Sequence, residues 1–372
     1  MNILVFIHSL AAGGAERVTA ALANMWVEGG NAVTIVTLAS RSEDRYGLDA
    51  RVQRVELGQV TDGGGIPTVV VANGKRIAAL RNVLRRGRPD VALSMMSTSN
   101  VLLALAAIGL NGVATFGSER VHPPHVGIGK AWHFLRAHCY RLLDGIVAQT
   151  TQTRDWLLSN TNARAVDVIP NPVVWPLEAR EPIVAPAVSG RPNRKLLLAV
   201  GRLEYQKGFD ILMPVFSELA RDFPHWDLAI VGQGSQRGAL QAAIADLGLD
   251  GRAFLVGDVG NVGDWYEAAD LFAFPSRFEG FPNALAEAMA YGVAAVSFDC
   301  ETGPRDLITS GEDGMLVPVG DAEALSSSLR RLMADADARQ ALGTRAREVR
   351  ERFALSRVGA RWLELFRGSM SK

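Results

Sequence analysis

Residues 271–298 read LFAFPSRFEGFPNALAEAMAYGVAAVSF and contain an apolar run, a loop, a helical pattern and a second apolar run. The pattern predicts a strand at Leu271–Phe274, a helix at Asn283–Tyr291 and a strand at Ala294–Phe298. Two apolar strands that are joined by a helix are typical of a parallel sheet covered on both faces. This stretch therefore predicts an α/β fold.

The same alternation of apolar runs and helical patterns extends along the rest of the chain. It begins with predicted strands at Ile3–Ile7 and Val33–Leu38, and it restarts at Lys195–Val200 after a segment rich in proline. We therefore expect two doubly wound α/β domains. Sheets of this kind bind ligands beyond the carboxyl ends of their strands, so the loops after each strand are the places to search.

A change of composition sets the predicted domain boundaries. Residues 170–192 contain six prolines and little helical periodicity, which indicates an extended linker. We expect an N-terminal Rossmann-like domain over residues 1–172, a linker over residues 173–193 and a C-terminal Rossmann-like domain over residues 194–352. Residues 353–372 are predicted to form a C-terminal helix, which could pack back on the N-terminal domain.

Length and composition exclude several classes of protein. The 372 residues are 48% hydrophobic and 21% charged, as in folded globular chains. The formal net charge of zero argues against a nucleic-acid-binding protein. Two cysteines are too few for a disulfide framework or a four-ligand metal cage, so a cytoplasmic protein is expected. Residues 1–10 do not resemble a secretory signal, and the longest apolar run, residues 101–110, is too short to span a membrane.

Two loops that follow predicted strands are rich in glycine. Gly13 and Gly14 precede a predicted helix, where a glycine pair lets the backbone approach an anionic ligand, but a tight turn without a ligand fits equally well. The pair departs from the G-x-G-x-x-G fingerprint, which disfavours a nicotinamide dehydrogenase. Gly234 lies in a second such loop, which could cover a nucleotide.

The loop after the predicted strand Lys195–Val200 carries two cations. Arg202 follows Gly201, and Lys207 follows five residues later. An arginine offers a planar fork of donors and a lysine offers a point charge, so the two together suit a diphosphate. Two solvated surface charges are the alternative.

Two glutamates lie near the start of the predicted helix Asn283–Tyr291. Glu279 lies in the preceding loop and Glu287 lies in the second turn, about 5–7 Å along the axis. One ligand could touch both carboxylates. Backbone N–H groups of Gly280 and Phe281 would add donors, and this mixture of acceptors and donors suits sugar hydroxyls.

These residues together resemble a known family. The order Gly13-Gly14-Ala15-Glu16-Arg17, Gly201-Arg202…Lys207-Gly208 and Glu279-x7-Glu287 is similar to that of the retaining GT-B glycosyltransferases of family GT4, over nearly the whole chain. The resemblance implies two Rossmann-like doubly wound domains that face each other across a cleft. Within the family, Ser118-Glu119-Arg120 and residues 299–305 look most like enzymes that extend polyprenyl-diphosphate-linked sugars for polysaccharides or glycans.

The resemblance also implies roles for residues in donor binding. Arg202 and Lys207 would hold the donor diphosphate, Glu279 would bind donor-sugar hydroxyls, and Glu287 would bind the nucleotide ribose. The other implied donor-binding positions are Gly13, Gly14, Gly201, Gly234, Gly280 and Phe281. Family members use no divalent metal, and no cofactor is expected beyond the nucleotide sugar, for which a UDP-sugar is favoured over a GDP-sugar.

The N-terminal domain would supply the acceptor side. Glu119 and Arg120 are the implied acceptor-binding residues. The implied catalytic residues are Glu279, Arg202, Lys207 and His122. His122 is included because many family members place a histidine near the reacting sugar; a loop histidine held rigid by Pro123 and Pro124 fits the same sequence.

The implied reaction transfers a hexose or N-acetylhexosamine from the donor to a polyprenyl-diphosphate-linked saccharide, with retention and without a protein nucleophile. A sugar-nucleotide epimerase or hydrolase of the same fold is one alternative. A catalytically silent sugar-nucleotide-binding protein is another.

A basic segment in the first half suggests a membrane surface as a partner. Residues 75–88 carry six cations and no acid, with Ile77, Leu80 and Leu84 at helical spacing. Basic amphipathic helices bind anionic lipid, although a helix packed on its own sheet gives the same pattern. Residues 1–175 carry 17 basic and 12 acidic side chains, a net charge of +5, and the remainder carries −5. We therefore expect peripheral association with the inner face of the cytoplasmic membrane.

Overall fold

Strands of Val, Ile and Leu form two separate parallel sheets, one in each of two structural units. The structure, a computed structural model, describes residues 1–11, 13–58, 66–125, 127–186, 191 and 193–370. Unit 1 consists of Met1–Pro172 and Leu355–Lys372, and unit 2 consists of Val173–Ala354.

Unit 1 contains a seven-stranded sheet in the order β3-β2-β1-β4-β5-β6-β7, with every neighbouring pair parallel. Its strands are β1 (Asn2–Ile7), β2 (Ala32–Thr37), β3 (Gln53–Glu56), β4 (Val91–Met95), β5 (Ala114–Ser118), β6 (Gly145–Ala148) and β7 (Val166–Val168). The helices between them are α1 (Gly14–Glu28), α2 (Ile66–Gly87), α3 (Ser97–Ala106), α4 (Lys130–Cys139) and α5 (Thr151–Asn160).

Both faces of this sheet are covered, which is why its central strands are mostly apolar, whereas the edge strand β3 reads QRVE. Successive side chains of a strand point to opposite faces, and in β1 Val5 belongs to one core cluster and Phe6 to the other. Helix α1 covers the face of Val5 through Trp26, whereas α2 covers the face of Phe6 through Leu80 and Leu84.

Unit 2 contains a six-stranded parallel sheet in the order β10-β9-β8-β11-β12-β13. Its strands are β8 (Lys195–Val200), β9 (Trp226–Val231), β10 (Ala253–Gly257), β11 (Leu271–Phe274), β12 (Ala295–Phe298) and β13 (Met315–Val317). Its helices are α6 (Phe209–Asp222), α7 (Arg237–Asp246), α8 (Val262–Ala268), α9 (Asn283–Tyr291), α10 (Pro304–Leu307), α11 (Ala322–Ala334), α12 (Ala336–Ala346) and α13 (Val349–Arg352). Helices α6, α7 and α11 pack on one face of the sheet, and α8 and α9 pack on the other.

The last helix, α14 (Leu355–Met370), belongs to unit 1 although it follows unit 2 in the chain. Its Phe366 is fully buried, and its ring centroid lies 5.7 Å from that of Trp26 and 5.5 Å from that of Phe116. The indole N–H of Trp26 donates to the carbonyl of Gly359, 3.3 Å away. The chain therefore returns to complete the core on the α1 face of the first sheet.

The proline-rich segment that follows Pro172 packs as part of unit 2. The backbone N–H of Leu177 donates to the Tyr291 hydroxyl at 2.9 Å, and that of Val184 donates to the Asn261 side chain at 3.0 Å. Unit 2 therefore begins at Val173, where the composition predicts a linker. Over the described residues, no helix has the length and hydropathy needed to cross a bilayer.

Candidate functional site

The loops after β8 and β11 meet at the carboxyl edge of the second sheet. Lys207 lies at the end of the first loop and Glu279 lies in the second, and their Nζ and Oε1 atoms form an ion pair of 2.6 Å. The side chains are 13% and 7% exposed, respectively. The sequence assigned these residues to a diphosphate and to a sugar, and the structure brings the two side chains into direct contact.

Two glycines in the first loop make room for this contact. A Cβ on Gly201 would lie 3.1 Å from Cδ of Lys207, so the lysine stem occupies the space beside the glycine. Gly208 has φ +68°, and a Cβ there would lie 2.0 Å from the carbonyl oxygen of Pro275. Only glycine both adopts this conformation without strain and allows the approach to Pro275.

Gln206 connects the two loops. Its Oε1 accepts a hydrogen bond from Arg202 at 3.2 Å, and its Nε2 donates to the carbonyl of Phe278 at 2.8 Å. Its own carbonyl accepts from the backbone N–H of Arg277 at 2.8 Å. Arg202 is exposed, so Gln206 orients a cation that faces solvent relative to the loop that carries Glu279.

Further contacts hold the second loop in place. The hydroxyl of Thr302 donates to the backbone carbonyl of Glu279. Arg277 donates two hydrogen bonds to the Asp210 carboxylate at 2.8 and 2.7 Å, and these hydrogen bonds lower the pKa of Asp210. Burial raises the pKa of the Cys300 thiol to about 12, with a further contribution from the negative charge of Glu279, so Cys300 is a thiol beside this site.

The helix after the second loop places Glu287 in the interior. Its residue surface is 7% exposed, and its Oε2 accepts a hydrogen bond from the Tyr266 hydroxyl at 3.1 Å. Gly280 and Phe281 are also buried, and the Phe281 ring packs 5.6 Å from that of Phe353. The side chain of Phe281 therefore belongs to the core, which leaves its backbone as the part suited to a ligand.

The loop that holds Gly234 lies against the Arg202 loop. A Cβ on Gly234 would lie 2.4 Å from the carbonyl oxygen of Leu203, so the two backbones are in close contact. Ser235 donates to the Glu204 carboxylate from its backbone N–H at 2.9 Å and from its hydroxyl at 2.7 Å. These hydrogen bonds lower the pKa of Glu204. Three loops of unit 2 are thus fixed to one another.

In unit 1, the glycine pair lies at the start of α1. Gly13 precedes the helix, and Gly14 is its first residue. The backbone N–H of Gly13 donates to the Tyr46 hydroxyl at 3.1 Å, and that hydroxyl donates to the Gly13 carbonyl at 3.0 Å. A Cβ on Gly13 would lie 2.1 Å from Oε2 of Glu16, so the glutamate side chain folds back over the glycine.

Glu119 is an interior residue rather than a surface one. It is 1% exposed, and its carboxylate accepts hydrogen bonds from Ser97 at 2.7 Å and from Tyr140. Burial raises the pKa of Glu119, against the opposing effect of both hydroxyls and of Arg136. The hydrogen bonds of Glu119 join β5, α3 and the turn after α4.

Arg120 and His122 are buried as well, with 6% and 1% of their surfaces exposed. Arg120 donates to the Asn171 side chain, and burial lowers its pKa to about 10. Nδ1 of His122 lies 3.0 Å from the hydroxyl oxygen of Thr153. His122 thus packs in the interior of unit 1, and the catalytic role near the reacting sugar that the family resemblance implies for it stays a prediction.

Helix α2 combines a buried apolar side with an exposed basic end. Leu80 and Leu84 lie in the core, so the apolar stripe predicted for membrane binding packs on the sheet instead. Arg81 donates to the carbonyls of Ala106 and Ile108 at 2.8 and 2.6 Å, and thus provides hydrogen-bond donors for carbonyl groups at the end of α3.

The sequence profile of Glycosyltransferase Family 4 matches residues 12–174, and that of Glycosyl transferases group 1 matches residues 185–349. The two matches follow each other and together take in most of both units. The chain contains a glycosyltransferase family 4 domain followed by a glycosyl transferases group 1 domain. The Arg202, Lys207 and Glu279 loops of this glycosyltransferase all lie within the second match.

Curated relatives resemble the glycosyltransferase over different lengths. It is 33% identical over 233 residues to an exopolysaccharide phosphotransferase of Streptomyces coelicolor, covering 62% of the chain and about a quarter, 24%, of that relative. It is 27% identical over 369 residues to the GalNAc-alpha-(1->4)-GalNAc-alpha-(1->3)-diNAcBac-PP-undecaprenol alpha-1,4-N-acetyl-D-galactosaminyltransferase of Campylobacter jejuni, covering 98% of both chains.

A solved structure matches the fold of the whole glycosyltransferase. The sucrose-phosphate synthase from Thermosynechococcus elongatus has a TM-score of 0.85 and 18% identity, with 100% of both chains covered. Both units are Rossmann-like parallel-sheet domains, and the fold is GT-B.

Sequence reasoning missed three polar residues beside the predicted ones. Gln206 lies between Arg202 and Lys207, and only its position in that loop singles it out. Gln149 and Asn171 follow β6 and β7 in the chain, and a systematic search for polar residues after each strand would have found them. Within the described ranges, no cluster of three His, Cys, Asp or Glu side chains has the arrangement of a metal site.

Proposed function

We propose that this glycosyltransferase is a retaining enzyme that transfers a hexose or N-acetylhexosamine from a nucleotide sugar to a polyprenyl-diphosphate-linked saccharide. A UDP-sugar is the proposed donor, because the family resemblance favours it over a GDP-sugar. The product would be an intermediate in the biosynthesis of a polysaccharide or glycan. The Campylobacter relative, whose name specifies an undecaprenol-diphosphate-linked glycan, supports the class of acceptor.

The observation that carries the proposal is the ion pair between Lys207 and Glu279 at the carboxyl edge of the second sheet. A lysine suits phosphate oxygens, and a carboxylate suits sugar hydroxyls as an acceptor. When both groups lie within 2.6 Å of each other, one ligand that joins a diphosphate to a sugar can contact both. Nucleotide sugars have this chemical structure.

The same site supports a reaction that needs no divalent metal. Arg202 and Lys207 together would neutralise the negative charge that develops on the leaving diphosphate. The leaving phosphate would accept the proton of the acceptor hydroxyl on the same face, which produces retention without a protein nucleophile. Full activity is therefore expected in the presence of excess chelator, and an absolute requirement for magnesium or manganese would contradict this part of the proposal.

The acceptor would bind to unit 1, and unit 1 would associate with the inner face of the cytoplasmic membrane. A lipid-linked acceptor presents its sugar at the membrane surface, so peripheral binding would bring the enzyme to its substrate. The net charge of +5 over residues 1–175 supports attraction to anionic lipid.

Separate substitutions of the two partners test the donor site. Lys207→Ala should weaken the binding of free UDP at least tenfold and lower turnover, because its partner, the diphosphate, is present in UDP. Glu279→Gln should lower turnover at least tenfold with UDP affinity changed less than threefold, because UDP lacks the sugar. Isothermal titration and a transfer assay measure the two quantities.

Lys195→Ala is the matched control. Lys195 also forms a lysine–carboxylate ion pair in unit 2, with Asp270 at 2.7 Å, but it lies at the start of β8. Loss of this pair should leave UDP affinity and turnover unchanged. Equal losses of UDP affinity in Lys207→Ala, Glu279→Gln and Lys195→Ala would show that only folding was affected and would refute the assignment.

A further inference from the structure

Three loops of unit 1 bring a group of buried polar side chains to the carboxyl edge of the first sheet. Arg120 follows β5, Gln149 follows β6 and Asn171 follows β7, and these strands are neighbours in the sheet. Asn171 Oδ1 accepts hydrogen bonds from Arg120 and from Gln149, the latter at 2.5 Å. Each of the three residues is at most 6% exposed. We call this group the Arg120 cluster.

The guanidinium of Arg120 lacks the partners that a buried cation needs. In the described part of the chain, its side chain donates hydrogen bonds only to two neutral groups, Asn171 and Ser118. The hydrogen bond to Ser118 is long, at 3.4 Å. Its Nε is buried with no partner among the described residues, and so is Oε1 of Gln149. Glu16 on α1 acts on Arg120 electrostatically, but in the described ranges no carboxylate forms an ion pair with it.

A buried arginine without a counter-ion destabilises the folded protein unless a ligand neutralises its charge. Burial of a charge without a paired counter-ion is unfavourable, and here burial lowers the pKa of Arg120 to about 10. An arginine used only to fasten loops would be expected to pair with a carboxylate, as Arg54 does with Asp44 at 2.9 Å elsewhere in unit 1. An anionic ligand would supply the missing counter-charge, and the carboxyl edge is where such sheets bind ligands.

We propose that the Arg120 cluster binds a phosphate oxyanion of a substrate, with Arg120 as the cation and Gln149 and Asn171 as the amides that orient it. Arginine matches phosphate because its planar fork donates two parallel hydrogen bonds. The proposal rests on the proposed function, since that reaction offers two phosphate sources, the donor diphosphate and the diphosphate linker of the acceptor.

Calorimetric titration of the full chain with two probes separates the sources. UDP represents the donor and is titrated into the otherwise unchanged protein. Geranyl diphosphate represents the acceptor linker and is titrated into the Arg202→Ala, Lys207→Ala background, so that the unit 2 site does not mask unit 1. Arg120→Met should weaken the binding of one probe at least tenfold, and Arg120→Lys should weaken the same probe by less.

Arg54→Met is the matched control. Arg54 is also an arginine of unit 1 with a buried side chain, 4% exposed, but it lies on β3 and is paired with the Asp44 carboxylate at 2.9 Å. Its substitution should leave both affinities within twofold. Circular dichroism and melting curves establish that each variant is folded. If Arg120→Met does not fold, Arg120→Lys and Gln149→Met provide the test, each with an expected loss of at least threefold.

Three results would overturn the proposal: neither probe binds, neither affinity changes in the Arg120 and Gln149 variants, or Arg54→Met causes the same loss. The proposed function can fail separately. If no nucleotide sugar supports transfer but Arg120→Met still weakens the binding of geranyl diphosphate, the Arg120 cluster is a phosphate site in a protein with another activity.

Discussion

Gln206 is the residue on which the geometry of the donor loops depends. It accepts from Arg202 and donates to the carbonyl of Phe278, the residue before Glu279. We expect Gln206→Met to lower kcat/KM by roughly 5- to 150-fold, since two hydrogen bonds contribute about 1–3 kcal/mol in total. Gln206→Glu keeps the acceptor for Arg202 but loses the donor to Phe278.

The two Gln206 variants should both weaken UDP binding and turnover. Gln206→Glu should cause the larger loss of UDP affinity, because its added negative charge lies beside Arg202, which is proposed to bind the diphosphate. Steady-state kinetics and UDP titration measure the difference. Gln233→Met, in an exposed position of the loop after β9, serves as the control. Unchanged kinetics in both Gln206 variants would mean that the loops hold their positions without this side chain.

Glu119 should make the stability of the folded protein depend on pH, and the direction of this dependence can be predicted. Its pKa is raised by burial, so the folded state retains a proton that the unfolded chain releases near the ordinary glutamate pKa of about 4.3. The stability that this proton provides is complete below the unfolded pKa and is lost as the pH rises through the folded pKa. Tyr140, Ser97 and Arg136 are the groups that face this carboxyl.

Glu119→Gln removes the titration and keeps the size of the side chain. We expect the melting temperature of the wild type to fall relative to that of Glu119→Gln as the pH is raised from about 4.5 to about 7.5, a range that starts at the unfolded pKa. Paired thermal melts at several pH values measure the difference. A difference that stays constant over this range would show that the Glu119 carboxyl has no raised pKa in the folded state.

Individual site residues were predictable where spacing along the chain carries the information. Arg202, Lys207 and Glu279 stand in loops after apolar strands, and the periodicity of the strands locates those loops. The contact between Lys207 and Glu279 was not predictable, because it joins residues 72 positions apart through the packing of two loops. The burial of His122 and Glu119 was not predictable for the same reason, because their partners Thr153 and Tyr140 lie in later helices and turns.

At the scale of elements, the glycine that precedes α6 sets the distance between the two donor loops. Gly208 has φ +68° and leaves no room for a Cβ beside the Pro275 carbonyl, so Gly208→Ala must both strain the backbone and push the loops apart. Gly248 has a similar φ of +66° with nothing within 4 Å of its Cβ position. Comparison of Gly208→Ala with Gly248→Ala therefore separates the free-energy cost of backbone strain from that of steric overlap.

We expect Gly248→Ala to destabilise unit 2 by about 1–2 kcal/mol, the strain of a left-handed alanine. Gly208→Ala should cost roughly 1–3 kcal/mol more, because the clash adds to the strain. Melting curves give the stabilities, and titration with UDP should show weaker binding in Gly208→Ala alone. Equal losses of stability and equal UDP affinities in the two variants would contradict this role of Gly208.

The elements themselves were predictable where they are long or buried on both faces. The strand Leu271–Phe274 and the helix Asn283–Tyr291 have the bounds that the pattern predicts. Strands β3 and β13 were missed, since β3 reads QRVE at the sheet edge and β13 has only three residues. At such edges, pairing with a neighbouring strand decides the conformation more than the apolar pattern does.

At the scale of the whole molecule, the fold joins the beginning and the end of the chain. Helix α14 supplies Trp362 and Phe366 to the core of unit 1, so the first 172 residues lack part of their core without the last 18. The amphipathic pattern of residues 356–366 predicts this helix, but a pattern does not specify which sheet it covers. The assignment of a helix to a unit therefore depends on long-range packing.

The exposed residues of α2 indicate which part of this helix should be tested for membrane binding. Arg81 is engaged with the end of α3, whereas Arg85 and Arg86 are exposed. Apolar side chains are exposed at the other end of the helix, where Val70 and Val71 have 65% and 58% of their surfaces accessible. Exposed arginines provide attraction to anionic lipid, and burial of exposed valines provides a contribution that does not depend on salt.

Replacement of Arg85 and Arg86 by Glu should therefore weaken binding to vesicles that contain anionic lipid by at least about 30-fold, because each cation contributes about 1 kcal/mol near the surface. The control is Arg221→Glu, Arg331→Glu, which makes the same change in net charge at exposed positions of unit 2. Binding is measured by sedimentation of the vesicles. Wild-type binding should also fall as salt rises, since surface charges are screened over about 8 Å at physiological ionic strength. If both double variants lose binding equally, net charge rather than α2 directs the association, and if the wild type does not bind such vesicles at all, the proposed membrane location is wrong.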